Sequence, residues 1–499
     1  MNFIKILFLS LLLISYSCSS DDNGSNILTE ETYDENQAPS HFITTVDQVT
    51  DSKAVIIWEA AIDPENDSVT YDIYLEGVKI ATEIEQLSFT FENLEELKNY
   101  TGFIIARDTN GNETRSEFHF ITFKYYLKFL KTYDYNLDKE GGEVSSIAIT
   151  QEGDYLIAGI KSRYPFVVKI NGNGDLIWNK NFHFSDPDFY QTLNRPVEVI
   201  ASSTGALFTF QHYVVEIDQS GNKIWQSDLR DIYGENQYIL LESLNFDNEN
   251  NLVVVGNRMH SDLMDDTKAI AVKFSPQKNI IWAKSLEIDY YNEIIDFVVD
   301  DNNNLMMFGT TTLKHPVENY SKHKFWLFKL DENGNKIFEK KFGLGHCIPL
   351  KIIKTKDNNF ILQGSWMGGY DVVTGLLVKT NGNGEFIWEK DIDSSLIYQF
   401  SIVELDNSDI IISGMDSINR PMGYSFVRYI KYTSNGELVW KKTGIFEYSY
   451  TAGVDLVGNN DGGFTMVSDF HKYSYNPFDH NFSNPKIMLF KLDPDGNYE

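Results

Sequence analysis

FVVKINGNGDLIW (166–178) decides the fold, because the chain writes the same phrase six more times. The later copies read YVVEIDQSGNKIW (213–225), IAVKFSPQKNIIW (270–282), WLFKLDENGNKIF (326–338), GLLVKTNGNGEFIW (375–388), RYIKYTSNGELVW (428–440) and MLFKLDPDGNYE (488–499). Each is an alternating apolar strand, a polar turn usually centred on Gly, and a second strand opening on an aromatic residue. Gly supplies positive φ at the turn, and β-branched and aromatic flanks favour the strands. The closing aromatics Trp178, Trp225, Trp282, Phe338, Trp388 and Trp440 lie 47, 57, 56, 50 and 52 residues apart. A period near fifty with a hairpin in each copy marks a repeated β-sheet unit.

A looser phrase precedes each copy: SIAITQEGDYLIAG (146–159), VIASSTGALFTF (199–210), LNFDNENNLVVVG (244–256), VVDDNNNLMMFG (298–309), IIKTKDNNFILQG (352–364), VELDNSDIIISG (403–414) and DLVGNNDGGFTMVS (455–468). These too read as strand–turn–strand, so each repeat holds four short antiparallel strands, the content of one propeller blade. Seven repeats predict an all-β, seven-bladed β-propeller over 125–499. The seventh copy reaches Gly496-Asn497-Tyr498-Glu499 where its fourth strand is due, while Tyr125-Tyr126-Leu127-Lys128-Phe129-Leu130-Lys131-Thr132-Tyr133 resembles fourth-strand text such as Phe386-Ile387-Trp388-Glu389-Lys390. The segment 125–133 is therefore expected to complete blade seven and leave no open blade edge.

The N-terminus carries a different signal. Lys5 precedes an apolar run, Ile6 to Ile14, too short to span a bilayer as a mature helix, and Ser15 and Ser17 lead into Cys18. This resembles a bacterial lipoprotein signal peptide (1–17), which implies acylation of Cys18. The following Ser19-Ser20-Asp21-Asp22-Asn23 is similar to the acidic tether of surface lipoproteins of the Bacteroidota. The resemblance implies a lipid-anchored protein of the outer membrane, exposed at the cell surface. Residues 18–37 are too polar to fold and read as a tether.

Cys347 is the one other cysteine, so no intrachain disulfide is expected. Against 42 Lys and Arg stand 72 Asp and Glu, a net charge of −30, which argues against nucleic acid as a partner. Residues 38–124 are similar to a fibronectin type III sandwich: Ala54 to Trp58 as second strand, Val69 to Leu75 as third, and Leu97 to Ala106 as the strand of the tyrosine corner, with Tyr100 at the corner. The resemblance implies a spacer.

Acidic turns such as Asp331-Glu332-Asn333-Gly334-Asn335 and Asp493-Pro494-Asp495-Gly496-Asn497 look like fragments of calcium loops. They enter a strand at once, however, and Asn171 to Gly174 and Ser434 to Gly436 lack the carboxylates, so turn chemistry explains them and neither metal nor cofactor is expected. The tryptophan phrase resembles the docking repeat of quinoprotein-type propellers, without its full motif. That supports the fold, implies packing of Trp between blades, and transfers no activity. His315 and His323 read as sharing one loop, as do His471 and His480, at spacings that match no metal pair. Cys347 reads as a buried thiol.

Loop asymmetry locates a candidate site. The turns inside each hairpin phrase are short, while the connections between second and third strands and from blade to blade are long and aromatic. These two groups lie on opposite faces of a propeller. Tyr190, Tyr233, Tyr290, Tyr291, Tyr320, Trp366, Tyr370, Tyr448, Tyr450, Tyr475 and Phe478 are the candidate ligand-binding residues of the long-loop face, since Tyr and Trp offer rigid contact area with a polar handle. The expected function is binding of a glycan or an envelope protein, with a propeller-type glycoside hydrolase or polysaccharide lyase as the alternative. Convergence of acids or bases from several blades at the channel separates the two.

Overall fold

The computed structural model describes residues 36–498 apart from 135–141, 185–196, 236, 261–262, 287–290, 314–321, 344–345, 368–372, 393–395, 417–425, 444–448, 451–453 and 474–481. The chain divides into two compact units, one to Tyr125 and one from Tyr126. Among the described residues the single α-helix is Arg230–Tyr233; nearly everything else regular is antiparallel strand.

The first unit packs a three-stranded sheet (Thr44–Val49, Ala54–Trp58, Ser88–Phe91) on a four-stranded one (Val78–Ile84, Thr70–Leu75, Asn99–Arg107, Glu113–Ile121). Period-two alternation creates the core: Ile56, Trp58, Tyr71, Ile73, Tyr100, Ile104, Phe118 and Phe120 all point inward. Trp58 meets Tyr71 edge to face, 5.4 Å between centroids. The Tyr100 hydroxyl accepts the Glu95 backbone N–H at 2.8 Å, tying the strand to the chain just upstream.

The second unit is a seven-bladed β-propeller. Six blades are four consecutive strands each, from Gly142–Ile149, Tyr155–Lys161, Tyr164–Ile170 and Leu176–Asn181 in blade one to Leu396–Glu404, Ile410–Asp416, Phe426–Tyr432 and Leu438–Thr443 in blade six. Blade seven takes Ser449–Tyr450, Val454–Gly458, Phe464–Tyr473 and Phe482–Leu492 from the C-terminal end, and its outer strand, Phe129–Asp134, from the N-terminal end. The closing register runs from Lys486 opposite Asp134 to Lys491 opposite Phe129. The strand begins at Phe129 rather than Tyr125, and Tyr125 belongs to the first unit, its N–H donating to the Glu96 carboxylate.

Seven apolar clusters, one per blade junction, make the core. The junction that closes the ring unites Val144, Ile147, Tyr155, Ile157, Phe166 and Val168 of blade one with Val467, Ile487 and Leu489 of blade seven, and Phe129 and Tyr133 pack against it. The aromatic at the end of a phrase lies on the turn glycine of the next blade, except that Trp225 of blade two meets Lys278 in that place. A Cβ on Gly334 would stand 3.2 Å from Trp282, and one on Gly174 would stand 2.8 Å from Phe129, so the N-terminal strand supplies the aromatic that blade seven lacks. The indole N–H groups of Trp178 and Trp282 donate to the carbonyls of Gln219 and Glu332 in those turns. The turn carboxylates are used locally: Asp331 Oδ1 accepts from the N–H groups of Asn333 and Asn335, and Asp493 Oδ1 from those of Asp495 and Asn497.

Candidate functional site

The inner strands of blades one, three, four, five and six carry a bulge near their midpoint, as at Ile294/Asp296, Pro349/Lys351 and Leu241/Ser243. The bulge brings the inner strand so close to its neighbour that a Cβ on Gly309 would overlap the Glu293 carbonyl, which accounts for the glycine ending that phrase. One equivalent residue per blade faces the axis: Ser146, Ser243, Asp296, Lys351 and Ser401 immediately past the bulge, and Glu198 and Asp455 at the matching position of blades two and seven. Lys351 of blade five reaches Glu198 of blade two at 3.6 Å and Asp455 of blade seven at 4.0 Å.

These groups stitch blades together. Asp296 accepts from the Ser243 hydroxyl of blade three (2.7 Å) and the Ile352 N–H of blade five (3.0 Å), besides the adjacent Phe297 N–H. Asp455 repeats the pattern, accepting from Ser401 (2.6 Å) and from the Ile147 N–H of blade one (2.9 Å). Burial raises Glu198, the neighbouring carboxylates Asp455 and Asp296 add to it against the pull of Lys351, and its pKa is pushed up to about 7. Burial alone would lower the Lys351 ammonium, but Glu198, Asp455 and Asp296 outweigh it and hold the group above its ordinary value. Asp296 is raised by burial, against the pull of Lys351 and its three hydrogen bonds. Acids and a base from several blades thus converge on the channel, the arrangement set as the discriminating observation, yet two of the three acids are engaged in blade-to-blade hydrogen bonds.

A second constellation lies at the long-loop ends of blades four and five. Tyr291 opens the inner strand Tyr291–Val299, Thr312 nears the end of Leu305–Leu313, His323 begins Lys322–Leu330, and His346 opens His346–Lys354 of blade five. Tyr291, Thr312 and His323 are cross-strand neighbours in one row. The His323 ring stands edge-on to His346 at 4.2 Å and to Tyr291 at 5.5 Å between centroids. Its Nδ1 is 3.1 Å from the Thr312 hydroxyl, and the Tyr291 hydroxyl donates to Glu293 at 2.9 Å. Burial lowers the pKa of both imidazoles; in His323 the neighbouring His346 adds to this and Glu293 opposes it. Both rings are neutral at neutral pH. His323, expected in a loop, is a strand residue, and the buried Cys347 next to His346 belongs to the blade junction with Phe325 and Trp366.

Of the sequence-predicted aromatics, Tyr291 sits inside this constellation and Trp366 borders it through Cys347, its cross-strand partner. Tyr233 is elsewhere and engaged: its hydroxyl donates to the carbonyls of Lys284 (2.9 Å) and Ala271 (3.2 Å), anchoring its own helix to blade three. Tyr450 falls in the short strand Ser449–Tyr450. Tyr190, Tyr290, Tyr320, Tyr370, Tyr448, Tyr475, Phe478 and Cys18 lie outside the described residues. Sequence reasoning missed His346 and all the charged channel residues. A signal for the latter was present: Ser146, Ser243, Asp296, Lys351 and Ser401 stand thirteen residues before Gly159, Gly256, Gly309, Gly364 and Gly414.

No family model matches the chain, and no curated protein matches it. Among solved structures, it is similar to a catalytically inactive virginiamycin B lyase from Staphylococcus aureus with quinupristin, at 14% identity over 73% of this chain and 99% of that one, TM-score 0.44. A protein of unknown function from Dyadobacter fermentans aligns at 9% identity over 72% and 99%, TM-score 0.39. An apocarotenoid oxygenase from Synechocystis aligns at 9% over 74% and 93%, TM-score 0.43. At these identities and scores no activity carries across, and the assignment of the second unit as a β-propeller rests on its own strand pairing and ring closure.

Proposed function

We propose that this chain is a lipid-anchored, extracytoplasmic binding protein whose propeller takes a glycan or an envelope protein on its long-loop face. In this reading Cys18 carries the lipid, 18–37 is the tether, and the fibronectin III-like sandwich is a spacer. The strand pattern of 44–121 and the Tyr100–Glu95 bond support the likeness to a fibronectin III sandwich. One observation carries binding over catalysis: Asp296 and Asp455, which an enzyme of this fold could use as acid and base, are held by the Ile352 and Ile147 N–H groups and by two serines. A carboxylate fixed by donors on two neighbouring blades is a structural cross-link before it is a proton carrier.

The test is a glycan array probed with the soluble chain from residue 38, run beside an assay for cleavage products on every positive spot. Retention without cleavage supports binding; new reducing ends or unsaturated products overturn it. The enzyme reading has Glu198 in its favour, since a carboxyl ionising near neutrality suits proton transfer. Cleavage that vanished in Glu198→Gln would establish that reading instead.

A further inference from the structure

Apolar exposure on the propeller is uneven. Large exposed apolar side chains gather on the outer strands, among them Leu176, Ile177, Ile280, Ile281, Leu438 and Val439. At the long-loop ends the described residues add only Tyr164 and Ile348 to that set. A protein partner is held by a desolvated apolar centre within a polar rim. The constellation at blades four and five has another character: a phenol and two imidazoles set edge to face, a threonine hydroxyl and a carboxylate.

We propose that Tyr291, Glu293, Thr312, His323 and His346 form a binding site for a neutral oligosaccharide. This rests on the binding reading above and names its ligand class. A pyranose presents C–H faces that pack on aromatic rings and an edge of hydroxyls that each donate and accept, so it needs aromatic surface interleaved with groups able to do both. His346 is exposed and supplies an imidazole to the solvent side. With Nδ1 of His323 at the Thr312 hydroxyl, Nε2 is the nitrogen left for a ligand. The Glu293 carboxylate, which accepts from Tyr291, orients that phenol. Uronic or sulfated sugars are disfavoured, because Glu293 stands in the site and the chain carries a net charge of −30.

The experiment is titration calorimetry on the soluble chain from residue 38, using malto-, xylo-, manno- and cello-oligosaccharides, with oligogalacturonate as the charged comparison. Four proteins are compared: the unaltered chain, Tyr291→Phe, His346→Ala and His323→Ala. Tyr291→Phe keeps the ring and His346→Ala alters an exposed side chain, so both test the site even where His323→Ala fails to fold. The expected result is binding of at least one neutral series, with Kd about tenfold or more weaker in each folded variant, about 1.4 kcal/mol. Equal affinity in Tyr291→Phe and His346→Ala would place the sugar elsewhere, overturning the site while leaving the binding reading intact. Preference for oligogalacturonate would overturn the ligand class. Capture of an envelope protein with no neutral sugar bound would do the same and leave the function as proposed.

Discussion

Glu216 and Lys278 form an ion pair at 3.1 Å in which both partners have exchanged roles with the rest of the ring. At the Glu216 position every other blade has a lysine, and each lysine pairs with an acid in the first turn of its own blade, as Lys273 does with Asp247 at 2.6 Å and Lys329 with Asp300 at 2.8 Å. Several also donate to the next blade's turn, Lys329 reaching the Gly382 carbonyl at 2.9 Å. Blade two has Thr204 where the acid is due, and its hydroxyl donates to Glu216 at 2.6 Å. The next turn in turn has Lys278, at φ 67°, where the other turns have glycine. The charges are inverted while the turn keeps the positive φ of its glycine counterparts.

This pair makes a double-mutant test. Glu216→Lys alone sets an ammonium beside Lys278 at a site where the Glu216 side chain is 8% exposed, and is expected to destabilise the propeller by about 3 kcal/mol. Adding Lys278→Gly removes the repulsion and the strain of positive φ, and is expected to recover most of that loss. Denaturant unfolding of the four proteins measures the coupling; additive effects would show that the two residues act separately.

Ring closure gives the second expectation. A chain starting at Tyr126 keeps Phe129 and Tyr133 against Ile487 and Leu489 and folds; one starting at Asp134 leaves Phe482–Leu492 as an open edge. Each large apolar side chain lost costs ~1.5–3 kcal/mol, a sizeable part of a typical stability of ~5–15 kcal/mol. Light scattering and thermal unfolding of the two chains compare them, and equal behaviour would refute closure by this strand.

Glu198 sets a pH dependence. Its folded-state pKa of about 7 lies above the ordinary 4.5, so the folded protein holds the proton more tightly than the unfolded chain. Its contribution to stability is complete below 4.5 and is lost as pH rises through about 7. The propeller's melting temperature is expected to fall across that window, less steeply in Glu198→Gln. Parallel profiles for the two proteins would assign the titration to another group.

For the first unit, Tyr100→Phe removes the hydroxyl that accepts the Glu95 N–H and should cost about 1–3 kcal/mol. Calorimetry should show the sandwich transition move while the propeller transition stays.

The repeats exposed the fold because a hairpin is a local object: Asp331 to Asn335 announces its turn without reference to any other blade. The closing strand was legible for the same reason, since Phe129 stands in text like that around Trp388. The site was not. Lys351 meets Glu198 and Asp455 only because three distant segments share one position of the inner strand, and the glycine thirteen residues downstream marks that position in five blades without telling which side chains meet across the channel. His323 looked like a loop residue because the strand pattern around it, Lys322 to Lys324, is polar, and its pairing with Thr312 is what makes it a strand. Tyr233 resembled a surface aromatic, and only the carbonyls of Ala271 and Lys284 reveal it as an anchor.

The strand Phe129–Asp134 also dictates an order of events. It leaves the ribosome before any blade exists, and its partner Phe482–Leu492 follows only after the strands of six whole blades. Until then the earliest strand of the propeller waits as an unpaired edge, and the first blade lacks the neighbour that buries Val144 and Ile147. Final locking therefore waits for the last strand of blade seven and carries a long-range loop-closure cost, slow relative to the formation of any single blade. A chain interrupted before Phe482 lacks the strand that pairs with Phe129–Asp134 and stays an open arc.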